Sequence, residues 1–179
     1  MRLFVALDVS AEIREQLVAF MAKSKQGAPG IRFVRPEGLH ITLKFLGRTP
    51  ACEIDEITSA LDRICHPVFR LSVAETGFFP DRKRPRIFWA GIKDAGGSAV
   101  RLAANIDHAC TLVGFAPEVN SWQPHITLAR LGRKSSSFTA RSQSPSFGMM
   151  MVTEFHLYES TLHPQGSIYR KIASFPLKP

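Results

Sequence analysis

Cysteine is scarce in this chain: Cys52, Cys65 and Cys110 are three in 179 residues, an odd number with no Cys-x-x-Cys pair. That excludes a disulfide framework and a thiolate zinc site, and it fits a reducing compartment. Cys65-His66 is adjacent but lacks the further ligands a metal wants. Long apolar runs are also missing. The opening apolar stretch is cut by Asp8, short of the roughly 7–15 residues of a secretory core and the roughly 20 of a membrane span. The expectation is a soluble, cytoplasmic monomer with no membrane contact and no bound cofactor. At 45% hydrophobic and 21% charged residues the chain is neither a disordered tail nor a fibrous rod. It is long enough to bury a core.

Acid is outnumbered by base, 15 Asp+Glu against 23 Lys+Arg, for a net charge of +8. Fifteen of those cations are Arg, whose planar fork grips phosphate at two points. The bias fits an anionic partner such as RNA, and it equally fits a GC-rich genome.

Periodicity divides the chain into alternating short strands and helices. Arg2 to Val9 reads as a buried strand, and Ser10 caps a helix over 11–23 striped by Ile13, Leu17, Phe20 and Met21. Ile31 to Val34 and His40 to Gly47 read as strands, with a second helix marked by Ile54, Ile57, Leu61 and Ile64. Phe69 to Glu75 alternates as a strand. Arg86 to Ile92 is another strand, and Ser98 caps a third helix that stops at Gly114. His125 to Arg130 and Thr153 to Ser160 close the series. Gly132 to Gly148, with six serines at 135–146, reads as a surface loop in which Arg133, Lys134 and Arg141 form a basic lid.

Three internal matches share nearly one spacing. His40-Ile-Thr-Leu recurs at His125-Ile-Thr-Leu, 85 residues on; Arg2-Leu-Phe-x-Ala returns as Arg86-Ile-Phe-x-Ala, 84 on; Phe69-x-Leu recurs at Phe155, 86 on. Together they indicate a duplication. The expected fold is α+β: a bilobal internal duplication with pseudo-repeats at about 1–80 and 81–179, forming one domain. Two antiparallel sheets face a central cleft, with helices on their outer faces.

In a strand, residues two apart share a side, so His40 and Thr42 face away from Ile41 and Leu43, as His125 and Thr127 do from Ile126 and Leu128. With the apolar pairs against the helices, the two His-Thr pairs converge from opposite walls of the cleft. One imidazole neutral and one protonated near pH 7 can relay protons on both sides of a phosphorus. Thr42 and Thr127 would hold its oxygens, and Arg130 would add charge. Arg130 lies an odd number of residues after His125, so only a bulge or strand end brings it into the cleft. Lys44 has the right parity and is a second candidate for the phosphate. Two histidines with no placed carboxylate are too few to hold a metal. His66 lies at a helix end, His108 off the apolar stripe, His163 in a loop, and His156 points opposite to Phe155 and Leu157. Phe78-Phe79 with Arg82, Lys83, Arg84 and Arg86 could stack a base and grip a backbone, or form a solvated connector.

These residues resemble the two-histidine phosphoesterases, and within them the RNA 2′,3′-cyclic phosphodiesterases, also called 2′-5′ RNA ligases. The likeness rests on Arg2 to Leu7, Leu39 to Gly47, Arg84 to Gly91, Pro124 to Arg130 and Glu154 to Ser160. It implies hydrolysis of a terminal RNA 2′,3′-cyclic phosphate, or of small cyclic nucleotides, to a 2′-phosphomonoester. It also implies His40 as proton donor and His125 as acceptor, roles that the symmetric repeat leaves open on the residues alone. Two alternatives stand beside it: 2′-5′ joining of RNA ends as the main task, and a non-catalytic module that binds RNA ends or nucleotides.

Overall fold

The structure is a computed structural model that describes residues 1–24, 30–132, 145–163 and 166–178. The strands are β1 (Arg2–Asp8), β2 (Ile31–Phe33), β3 (His40–Arg48), β4 (Phe69–Phe79), β5 (Ile87–Lys93), β6 (His125–Leu131), β7 (Ser146–Val152), β8 (Glu154–Thr161) and β9 (Ile168–Pro176). The helices are α1 (Ala11–Ser24), α2 (Ile54–Asp62) and α3 (Ser98–Leu112). Among these residues no helix is long and apolar enough to cross a membrane. The basic-lid residues Arg133, Lys134 and Arg141 lie outside the described residues.

The α+β class is met, but the two expected sheets are one. A single antiparallel sheet runs β7-β4-β5-β6-β3-β1-β8-β9, with β2 also beside β6. The reason is local: β3 and β6 hydrogen-bond at Ile41↔Ile126, so the strand edges that would have bounded two sheets satisfy each other. One half of the sheet is built from the middle of the chain and the other from its two ends. β4 pairs with β5 and β7, whereas β8 and β9 return to β1.

One face of the sheet is apolar and helix-covered. Leu3, Val5 and Leu7 of β1, Ile41 and Leu43 of β3, Phe88 and Ala90 of β5, and Ile126 and Leu128 of β6 are all at most 3% exposed. On α1, Ile13, Leu17 and Met21 fall one turn apart and are buried. This helix crosses to β7, with Phe20 ringed by Phe88 and Phe147 at 6.2 and 5.2 Å. α3 packs on β3 and β4. Its cap is Asp94, whose carboxylate accepts from the backbone N–H groups of Ser98, Ala99 and Val100. Ser98, expected as the cap, is the first helical residue.

Two strands escaped the periodicity. β7 starts inside the segment read as loop, because Met149 and Met151 are exposed beside buried Met150 and Val152, which hides the alternation behind four apolar residues. β9 is a sheet edge and buries little. β4 continues past its expected end at Glu75, where a bulge puts that residue at φ 65°. Of the internal matches, the two His-Ile-Thr-Leu stretches occupy equivalent places on β3 and β6. The Arg-x-Phe match is one residue out of step, since Thr42 pairs with Ala6 but Thr127 pairs with Trp89. Phe4 consequently lies beside His40, while Phe88 is sealed under the helices.

Candidate active site

The same irregularity follows each His-x-Thr. On β3, Val5 pairs with Lys44 and Ala6 with Thr42, leaving Leu43 as an extra residue. On β6, Phe88 pairs with Ala129 and Trp89 with Thr127, leaving Leu128 extra. A bulge inverts the parity of everything beyond it. Leu128 and Ala129 are both buried and Arg130 is exposed on the cleft side, so the odd spacing of Arg130 is resolved. The identical bulge removes Lys44 from the candidate list. Its Nζ is buried on the helix side, donating to Asp107 Oδ1 at 2.5 Å and to the Ala116 carbonyl at 2.9 Å. Lys44 ties the segment after α3 to the sheet and does not face the cleft.

Because β3 and β6 are neighbours, the two histidines do not stand on opposite walls. Extending the Ile41↔Ile126 register by one residue sets His40 beside Thr127 and Thr42 beside His125. The histidines are diagonal partners on one face, about 7–8 Å apart at Cα for a regular ladder. Each ring is held alike: His40 Nδ1 meets the Gly38 carbonyl, and His125 Nδ1 the Gln123 carbonyl, both at 2.8 Å. A carbonyl only accepts, so each Nδ1 carries the hydrogen and each neutral Nε2 keeps its lone pair. Trp122, from the loop before β6, donates its indole N–H to the Thr42 carbonyl at 2.9 Å and braces this junction.

The halves differ in what stands beside each histidine. Asp8 pairs with His40 across β1, whereas Gly91 pairs with His125 across β5. No side chain fits at Gly91, because a Cβ there would lie 2.8 Å from the Ala74 carbonyl oxygen. Burial pushes the proton affinity of His40 down, the Asp8 carboxylate and Gly38 carbonyl oppose this, and the net result lies below the usual histidine value. The charges of His125 and Arg130 act on His40 in the downward direction too, so all three groups share one electrostatic site. Asp8 itself is partly buried, which raises its pKa. Hydrogen bonds from Tyr158 and Lys171, with the positive charge nearby, outweigh that and hold it below the usual carboxylate range. His156, expected to point away from the core, is 1% exposed rather than free in the cleft. It bonds Ser174 Oγ at 2.9 Å and lies 3.4 Å from Asp8, supporting the carboxylate from behind.

Rings frame both histidines. Phe4 and Tyr169 lie 4.9 and 5.0 Å from His40, and Phe79 meets His125 edge-on at 5.0 Å. Trp89 lies 5.2 Å from Phe79 and across bare Gly77. Of the Phe78-Phe79 pair, only Phe79 reaches the site, for Phe78 stacks on Phe88 in the core. Arg82, Lys83, Arg84 and Arg86 follow it on the turn between β4 and β5 and are exposed, with the Arg82 guanidinium 5.8 Å from the centre of the Phe78 ring and the Arg86 N–H bonded to the Phe79 carbonyl. His66 and His108 lie elsewhere, the first buried against Phe69 and the second exposed on α3. Sequence reasoning missed Asp8, Tyr158 and Tyr169, which the β8 and β9 returns bring in. It also missed Arg32, which stands opposite Arg130 in the β2–β6 ladder.

Two histidines, two threonines and an arginine thus share one sheet face, each histidine with its Nδ1 committed to a carbonyl and its Nε2 left for chemistry. The description of LigT-like phosphoesterases matches residues 7–89 and 92–169, and the chain belongs to that family. A protein of Archaeoglobus fulgidus named RNA 2′,3′-cyclic phosphodiesterase is 35% identical over 178 residues, covering 98% of this chain and 99% of that one. Escherichia coli LigT solved with 3′-AMP superposes with a TM-score of 0.84 at 31% identity, over 99% of this chain and 98% of that one. A Thermus thermophilus structure gives 0.86 at 31% identity, with the same coverage.

Proposed function

We propose that this enzyme opens terminal RNA 2′,3′-cyclic phosphates, and small cyclic nucleotides, to 2′-phosphomonoesters without a metal. The observation that carries the reading is the pair of Nε2 atoms on one face, each ring fixed by a carbonyl at its far nitrogen. Water attacks the phosphorus and gives its proton to His125 Nε2. The bond to the 3′-oxygen breaks, and His40 Nε2–H protonates that oxygen. One water is consumed, and the histidines exchange protonation states, which solvent resets. Thr42, Thr127 and Arg130 hold the non-bridging oxygens as charge shifts between them. Asp8 beside His40, with glycine beside His125, supports His40 as the donor: the carboxylate opposes the burial that holds the free ring below the usual value, and the negative charge of bound phosphate adds to it to bring the second proton to Nε2. The names of the curated relatives and the 3′-AMP complex support the substrate class. The two His-x-Thr-Leu-bulge units support an origin by duplication, as does the family match over two successive segments.

The rings of Phe79 and Trp89 beside His125 favour a second reaction in the same site. A ribose 5′-hydroxyl replacing the attacking water would yield a 2′-5′ linkage. Incubation with a nucleoside 2′,3′-cyclic monophosphate in EDTA, followed by phosphorus NMR, tests the main reading. His40→Ala and His125→Ala should each lower turnover by about 10²–10⁴-fold, and the double variant should be little worse. Unchanged substrate would identify a binding module. Near-full activity of either single variant would overturn the mechanism.

A further inference from the structure

A cavity of about 150 Å³ opens beside His40. It is lined by His40, Phe4, Tyr158, Tyr169, Arg14 and Glu37, of which Glu37 is exposed. We infer that this cavity receives the nucleobase of the cyclic-phosphate nucleoside and favours bases with an exocyclic amino group over uracil. The inference rests on the reaction proposed above, because that reaction fixes where the nucleoside lies. In-line attack puts the nucleophile and the departing 3′-oxygen on opposite sides of phosphorus. With His125 serving the water and His40 the 3′-oxygen, the nucleoside carrying that oxygen stays on the His40 side. The Phe79–Trp89 wall is on the other.

The cavity suits a flat, aromatic guest. Phe4 stacks on Tyr158 with ring centres 5.3 Å apart, and Tyr169 stands edge-on to Phe4 and His40. The hydroxyl of Tyr158 is spent on Asp8, and Asp8 is further engaged by Lys171, so neither offers a base edge a free partner. The polar group open to a guest is a single acceptor. Arg14 is turned into the protein, with Nη2 donating to the Val9 carbonyl and Nε–H buried. Glu37 is exposed on the turn Pro36–Gly38. The cavity thus presents a charged acceptor in Glu37. Guanine, adenine and cytosine each carry an exocyclic amino donor for that carboxylate, whereas uracil's lone N–H lies between two carbonyl oxygens that the carboxylate repels. A base that leaves a site's polar groups unpaired is disfavoured.

The test is kcat and KM for the four nucleoside 2′,3′-cyclic monophosphates and for a base-free ribose 2′,3′-cyclic phosphate. The wild-type protein should turn over the uridine substrate with a kcat/KM about tenfold or more below the others. Glu37→Ala should bring the four substrates to within about threefold of one another. Tyr169→Leu should raise KM about tenfold or more for the nucleotides, with Tyr169→Phe restoring it. On the base-free substrate the Tyr169→Leu penalty should shrink to about a tenth of that. Equal rates for all four bases, an unchanged preference in Glu37→Ala, or an equal KM penalty without the base would each overturn the assignment. If the wild-type protein leaves every cyclic nucleotide intact, the hydrolysis reading fails instead. The cavity is then judged by calorimetric binding of nucleoside 2′-monophosphates: the same base order upholds it, and no base order overturns it.

Discussion

Replacing Lys44 by Met separates a structural role from a phosphate-binding one with a single substitution. The ammonium of Lys44 is 1% exposed and makes an ion pair to Asp107 at 2.5 Å and a hydrogen bond to the Ala116 carbonyl at 2.9 Å. Burial opposes ionisation of Asp107, but the Lys44 bond and the Glu118 N–H outweigh it, so the carboxylate stays charged. Hydrogen bonds to charged groups contribute about 1.5–3 kcal/mol each. Met keeps the alkyl stem in its slot and removes the cost of burying an ammonium, which offsets part of that loss. Asp107 keeps some water, being 25% exposed, and keeps its bond from the Glu118 N–H. The net is about 1–2 kcal/mol, equivalent to about 2–8 °C in Tm for a chain of this size. Thermal melting followed by circular dichroism reads the first number. Steady-state kinetics on a cyclic nucleotide should give KM within about twofold of wild type, since the loss is not at the cleft. A Lys44→Met protein with unchanged Tm and a tenfold higher KM would refute the bulge argument and return Lys44 to the phosphate.

Gly77→Ala should cost stability and activity together, because the new Cβ would collide with the Trp89 ring, which leans on Phe79 and through it on His125. Overpacking of this kind costs about 1–3 kcal/mol, and Trp89→Leu in the same chain should recover most of it; a fully additive pair would sink the contact argument. Stability should fall on mild acidification. Burial is the main cause holding His40 and His156 below their ordinary value near 6.5, so the unfolded chain binds more protons just below that pH. Their contribution is complete above about pH 6.5 and is lost as pH drops toward the folded values. Tm measured from about pH 7.5 down to about 5 should decline, and His156→Gln should flatten the decline; a Tm independent of pH over that range contradicts the assignment. Arg32 and Arg130 stand directly opposite, a like-charge pairing that weakens a sheet unless an anion lies between. Arg32→Leu should therefore raise KM for a cyclic-phosphate RNA and reduce the salt slope of its binding by about one unit. An unaltered slope would place Arg32 outside the phosphate path.

The difference between what the chain's pattern reveals and what it hides comes from how each kind of information is encoded. His40, Thr42, His125 and Thr127 share one face of the sheet because side-chain alternation over three residues needs no partner strand. From the fourth residue on, alternation fails on both repeats, and for one reason: Leu43 and Leu128 are bulge residues with no pairing mate. The two errors have opposite signs, admitting Lys44 and casting doubt on Arg130. An apolar pair in sequence, Leu128-Ala129, is the trace such a bulge leaves, while Leu43-Lys44 conceals it behind a charge that is itself buried. The order of strands is harder still to see, since β8 and β9 return to β1 from the far end of the chain. That return brings Tyr158, Tyr169 and Lys171 to Asp8 and His40, and with them a strong asymmetry between the halves. A duplicated motif specifies two interchangeable histidines. Asp8 on one side, and at Gly91 a site too close to the Ala74 carbonyl for any side chain on the other, make them different. The asymmetry on which the proposed direction of proton transfer rests is thus a property of the neighbouring strands, and no reading of the His-x-Thr repeats by themselves contains it.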